Sequence, residues 1–169
     1  TPWMPHVNGN FATKSGKCEF FTKDAAEQKI SPLPEYKPVA YTAEELKKYP
    51  LQLMSIKSTS NFLNTSHANV KHLLTKEGTF YLDLHKHDAD SRGVIDGDQV
   101  KIFNDHGQVL ATARIRNKVR QGVVCMPQGF WPSLLKGGSS VNALTNDRLT
   151  DIGDGSALQE TRVEVMKSL

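Results

Sequence analysis

The pattern of apolar and polar positions changes character near residue 51. Upstream of it no periodicity is sustained. "FATKSGKCEFF" predicts a hairpin around Ser15-Gly16, and "SPLPEYKP" predicts a proline-stiffened connector. Thr42 before "AEELKK" supplies an N-cap with Glu45 three residues on, so a short helix is expected until Pro50 stops it. Residues 1–50 therefore read as an extended linker lying along a larger body, and residues 51–169 as the globular unit.

Beyond residue 51 the pattern is rich in strands. "LQLMSI" and "TFYLDL" are strand candidates, and "QVKIF" and "QVLATARIR" both alternate. "NDHG" between the last two is expected to be a hairpin turn, with glycine where a positive φ is needed. "GVVCMP" predicts a strand that Pro127 ends, because proline cannot donate to a ladder. "TRVEVM" closes the series. "HANVKHLLTKEG" predicts a short helix, with Asn64 to Ser66 available as caps and Gly78 as its end. Asp88 can cap a single helical turn that Gly93 closes, and Asp96-Gly97-Asp98 turns the chain into the next strand. Many short strands with one-turn helices and long loops predict a small closed barrel, mainly β with short helices.

Composition narrows the class. The chain has 169 residues, 38% hydrophobic and 23% charged, which allows one real core. No apolar run approaches a membrane span and no signal-peptide pattern opens the chain, so no direct membrane span is expected and the compartment is unreadable. The opening "TPWMPHVNGNF" is expected of a piece of something longer. The net charge of +3 is spread along the chain, which permits an anionic ligand without announcing nucleic acid. Cys18 and Cys125 match no CxxC pattern; Cys125 reads as a small buried hydrophobe. His85 and His87 would share a strand face, and His67 and His72 one side of a helix, but no spacing enforces a zinc site. Ser66-His67 lacks the glycine pattern of a hydrolase nucleophile.

One stretch asks for a special explanation. "LMSIKSTSNFLNTSHANV", residues 53–70, runs from a strand into a series of short hydroxyl and amide side chains. Together with "HDADSRGVIDGDQVKIFNDHGQVLATARIRNKVRQGVVCMPQGFW" and "VNALT…D", it resembles the C-terminal cofactor-binding domain of the molybdopterin oxidoreductases. That is the dimethyl sulfoxide reductase superfamily, which includes nitrate reductases, formate dehydrogenases and thiosulfate or polysulfide reductases. "GNFATKSGKCEFF" and "PLPEY" resemble the linker that precedes this domain. The resemblance implies a six-stranded double-psi β-barrel preceded by an extended linker segment. It further implies a domain that packs over the catalytic domains of a parent chain and holds part of a molybdopterin guanine dinucleotide carrying molybdenum or tungsten. An iron–sulfur cluster and the metal ligand are expected only in absent, earlier parts, and electron-transfer subunits are expected partners. Alone, the domain is expected to hold cofactor without redox chemistry.

The resemblance also implies site residues. A dinucleotide pterin presents a diphosphate, a ribose and fused heterocycles, and each polar group left dry and unpaired costs about 1–3 kcal/mol. Short side chains let backbone N–H groups approach such phosphates. Ser55, Lys57, Asn64, Thr65, Ser66 and His67 are the expected contacts, against a plain solvated loop with a helix cap. Asp88 either accepts from the guanine ring or caps its own helical turn, and one residue can do both. Gln128 or Gly129 is expected to meet the pterin, while Phe130 and Trp131 are expected to pack. Asn142 is expected at the cofactor through an amide that donates and accepts at once. Gln159 is expected as a polar contact, with Glu160 the alternative. The competing function is a stand-alone double-psi barrel serving as an adaptor or nucleic-acid-binding module. Arg114, Arg116, Lys118 and Arg120 would be its phosphate-tracking face, against an edge strand protected by charge.

Overall fold

Among the described residues, six strands close into one barrel in the order β1-β5-β2-β4-β3-β6. They are β1 Leu51–Ile56, β2 Tyr81–Leu84, β3 Gln99–Phe103, β4 Gln108–Ile115, β5 Val123–Pro127 and β6 Thr161–Lys167. The structure is a computed structural model that describes residues 2–58, 60, 65, 70–150 and 153–168. Advancing each strand by three positions, β1 to β4, β2 to β5 and β3 to β6, reproduces the same set of neighbours. The parallel β1/β5 pair maps in this way onto the parallel β4/β2 pair. Two three-stranded halves are therefore interlocked, each threading a strand between two of the other. This is the double-psi β-barrel.

Alternation in the sequence becomes two faces of the wall. Leu51 and Leu53 of β1, Val100 and Ile102 of β3, and Val163 and Val165 of β6 point inward and are almost fully buried. Each buried aliphatic side chain stabilises the fold by about 1.5–3 kcal/mol. β2 differs because all four of its residues are buried. Leu82 and Leu84 face the core, while Tyr81 and Asp83 face out and are covered by Arg114. The Arg114 guanidinium lies 3.2 Å from the centre of the Tyr81 ring and bonds both Asp83 oxygens, at 2.7 and 2.9 Å.

Four short helices punctuate the described chain: α1 Lys23–Glu27, α2 Ala43–Lys48, α3 Lys71–Glu77 and α4 Lys86–Asp90. α2 carries the expected capping box, with Thr42 and Glu45 bonding reciprocally. Other caps differ from the sequence expectation. Val70 precedes α3 and lends it no side-chain bond, so the expected cap at Asn64 to Ser66 is corrected, although Gly78 does end the helix. His85, not Asp88, caps α4 by accepting from the His87 N–H, so these histidines begin a helix rather than share a strand face.

The hairpin glycine also has a different reason. Gly107 does not take a positive φ; a Cβ there would lie 2.7 Å from the Ala143 carbonyl oxygen. The "NDHG" turn needs glycine for close approach, not for a left-handed backbone. "FATKSGKCEFF" makes a turn, Gly16 N–H to Thr13 carbonyl at 3.1 Å, but no ladder.

The chain divides into two compact units, Thr1–Pro38 with Thr150–Gly155, and Val39–Leu149 with Ser156–Leu169. Within the second unit, residues 39–50 belong with the barrel: Arg162 bonds the Pro50 carbonyl and lies over the Tyr41 ring. No helix among the described residues is long and apolar enough to cross a membrane.

Candidate functional site

β1 and β5 run parallel in register, from Gln52 opposite Val123 to Ile56 opposite Pro127, so both end on one rim of the barrel. The ladder continues one step further, where the Gln128 N–H donates to the Ile56 carbonyl at 2.8 Å. Two loops leave this rim. Lys57 and, further on, Thr65 follow β1, and Gly129 to Trp131 follow β5. The Trp131 indole Nε1 joins them by donating to the Thr65 carbonyl at 3.1 Å.

Between these loops and the Val141–Ala143 3-10 turn lies a groove of about 490 Å³, lined by Thr65, Gly129 to Pro132, Gly138 to Ser140, Asn142 and Ala143. Gly129 and Gly138 have φ of 95° and 66°, a left-handed backbone that favours glycine and leaves the main chain bare at the groove. Val141 and Leu144 are buried on either side of Asn142, which pins the turn and leaves Asn142 facing out. The Asn142 carbonyl accepts from Thr145 Oγ1 at 3.1 Å, while its side-chain amide bonds nothing among the described residues.

The chemistry of this lining is specific. Among the described residues it offers hydroxyls, one unbonded amide, bare backbone and an aromatic wall, with no ionisable side chain. Such a groove can hold a flat, polar heterocycle by stacking and hydrogen bonds. A pterin or guanine ring system fits this donor set.

The expected contacts divide into groups. Thr65 and Asn142 line the groove together, and Gln128 adjoins it with its backbone spent on Ile56. Lys57 is exposed one residue beyond β1. Ser55 is buried at the inner rim, where the Gln159 side chain binds its backbone from both sides, at 3.0 and 2.9 Å. Asp88 stands apart. Its Oδ2 accepts from the Gly122 N–H at 2.8 Å, next to the end of β5 opposite Gln128. Asn64, Ser66 and His67 lie outside the described residues. Sequence reasoning missed Gly138, Ser139 and Ser140; their signal was the "GGSS" stretch, which reads equally well as an ordinary loop.

The basic segment leaves its strand early. β4 ends at Ile115, so only Arg114 among the four lies on a strand, and the shared strand face expected of them does not form. Arg114 is committed to Asp83, whose hydrogen bonds raise its pKa further, and Arg116 lies 3.7 Å from Asp96. Arg114, Arg116 and Lys118 still line one open groove with Lys86 and Asp83, without the alternating strand face that phosphate tracking was expected to use. Tyr81, beneath Arg114, has its phenol pKa pushed up by burial, against which the guanidinium pulls down.

Comparison with known proteins bears on the family and the fold. Residues 51–162 match the family described as molydopterin dinucleotide binding domain. The probable oxidoreductase YoaE of Bacillus subtilis is 32% identical over 96% of this chain and 23% of its own length. The dimethyl sulfoxide reductase DmsA of Escherichia coli is 30% identical over 92% of this chain and 21% of its own. The chain thus spans under a quarter of the length of these relatives. The solved structure of acetylene hydratase from Pelobacter acetylenicus superposes with a TM-score of 0.83 at 22% identity, over 98% of this chain and 25% of that one, and shares the fold. With the interlocked barrel, the uncharged groove and a family match spanning β1 into β6, the chain belongs to the molybdopterin dinucleotide-binding domain family of the dimethyl sulfoxide reductase superfamily.

Proposed function

We propose that this chain is the C-terminal domain of a molybdenum- or tungsten-dependent oxidoreductase, and that it holds part of a molybdopterin guanine dinucleotide against the catalytic domains of a longer polypeptide. The observation that carries the reading is the groove at the β1/β5 rim, where Thr65 and Asn142 face the same uncharged space. When bound, the cofactor supplies the metal centre at which electrons are exchanged. This chain's own residues bind and shield. The Asn142 amide donates to and accepts from a heterocycle edge, and Ser139 and Ser140 offer hydroxyls. Gly129 and Gly138 let backbone groups close in, and Trp131 walls the groove. Lys57, beside the rim, offers a cation to a diphosphate. An iron–sulfur cluster belongs to earlier parts of such a polypeptide, and electron-transfer subunits are its partners.

The test is chemical. The longer polypeptide is purified, oxidised and assayed for a fluorescent pterin and for released guanine nucleotide. Both should be present, and Asn142→Ala should lower the pterin content per polypeptide. A purified parent with no pterin would overturn the reading, and one releasing a different nucleotide would overturn the guanine assignment.

A further inference from the structure

Asn104 closes the β3–β4 hairpin and also reaches beyond it. Its Oδ1 accepts from the backbone N–H groups of His106 at 3.0 Å and Gly107 at 3.3 Å. Its Nδ2 donates to the carbonyls of Leu144 at 2.8 Å and Arg162 at 3.0 Å. A single amide thus joins the hairpin tip, the turn that carries Asn142, and β6. Gly107 belongs to the same joint, because an added Cβ would come within 2.7 Å of the Ala143 carbonyl oxygen. The atom it would meet belongs to the backbone, so no flexible side chain can swing aside.

The opposite side of the Val141–Ala143 turn is fixed as firmly. Val141 and Leu144 are 1% and 0% exposed, buried in the core. The turn is therefore held between core and hairpin, and Asn142 is its outward residue. Neither Asn104 nor Gly107 lines the groove. Hydrogen bonds weaken steeply as distance and angle drift, so the groove needs an Asn142 amide whose place is set from outside.

We propose that Asn104 and Gly107 are positioning residues for the groove: the tip of the β3–β4 hairpin sets where the Asn142 amide stands. This rests on the groove reading above. Asn104→Asp keeps the acceptor that shapes the hairpin but sets a carboxylate against the Leu144 and Arg162 carbonyls. Gly107→Ala pushes on Ala143 directly and leaves Asn104 intact. Both are made in the longer polypeptide, alone and in an Asn142→Ala background. The rate at which pterin is lost from purified, cofactor-loaded protein is followed by gel filtration and pterin fluorescence.

Each variant should speed release about fivefold, and neither should add more than about twofold once Asn142 is alanine, because residues acting through one group are not additive. Release within twofold of the unmodified protein would overturn the proposal. So would the same factor in both backgrounds, which marks a merely structural role. Failure of both variants to fold would also overturn it, since the joint would then serve the barrel rather than the groove. An unmodified parent that holds no pterin would instead strike the groove reading itself.

Discussion

The Gln159 side chain takes the place of its own backbone opposite Ser55. β1 and β6 pair antiparallel through Leu53 opposite Thr161, so two steps further in the same register Ser55 comes opposite Gln159. There the ladder is continued by a side-chain amide: Ser55 N–H donates to Gln159 Oε1 at 3.0 Å, and Gln159 Nε2 donates to the Ser55 carbonyl at 2.9 Å. A primary amide has the donor and acceptor of a peptide group, which is why glutamine can do this and glutamate cannot. Gln159→Ala should lower stability by about 1–2 kcal/mol, and Gln159→Glu by at least as much, since its carboxylate would face the Ser55 carbonyl. The check is a shifted urea midpoint at unchanged m-value. An unshifted midpoint in both variants would show that the bonds form equally well to water.

Arg114 carries a second prediction. Its guanidinium covers Tyr81 and grips Asp83, whose side chain is only 13% exposed. Arg114→Ala strands that carboxylate in the wall and should cost about 2 kcal/mol, below the full value for a buried pair because Arg114 is itself partly exposed. Arg114→Lys keeps the charge but loses the two-pronged bond and the stacking, and should recover less than half of that. Pairing Arg114→Ala with Asp83→Asn should be less damaging than Arg114→Ala alone. Urea titration of the four proteins decides it, and full recovery by lysine would rule out the geometric account.

Much of the barrel was legible in the sequence, and the reason is local. A strand with one buried face writes a period of two into its own residues, and β1, β3, β4 and β6 each show it. The capping box at Thr42 is equally local. What escaped depends on partners brought near only by folding. The Asp88 carboxylate meets Gly122, 34 residues on, and Gln159 meets Ser55, 104 residues back. Gly107 is needed because Ala143 passes beside it, which no turn preference contains. The groove was half legible: Thr65 and Asn142 came from family resemblance, while the "GGSS" loop between them and the bond from Trp131 to Thr65 needed coordinates.

That bond supports a third prediction. Trp131 is 41% exposed, so its ring contributes less to the core than Phe130, which is 9% exposed and packs on Phe80 at 5.1 Å. Trp131→Phe keeps an aromatic wall and removes the N–H that ties the two loops. Stability should change by no more than about 1 kcal/mol, while pterin release from the loaded parent should quicken. Phe130→Ala should do the reverse in emphasis, costing about 3 kcal/mol of stability through lost packing. Equal effects of the two substitutions on both measurements would remove the distinction between wall and core.

Cys125 supports a fourth prediction, a loss of stability in alkali. It lies opposite Asp83 on the outer side of the wall, and burial, with the Asp83 charge adding to it, pushes its thiol above the ordinary value of 9.0. In the unfolded chain the thiol gives up its proton near 9.0, while in the folded chain it keeps it to higher pH. Above 9.0 the unfolded state therefore binds fewer protons than the folded one, and the linkage makes stability fall as pH rises through that window. Below it the contribution is present in full. The buried phenols of Tyr41 and Tyr81 are raised in the same way and add a further fall above 10.0. The urea midpoint should hold steady to pH 8, drop by pH 10, and drop less in Cys125→Val, which has no proton to lose. The same protection should make Cys125 at least about tenfold slower than the exposed Cys18 in alkylation at pH 8. An identical alkaline drop in Cys125→Val, or equal alkylation of the two cysteines, would mean that water and base reach the Cys125 sulfur freely.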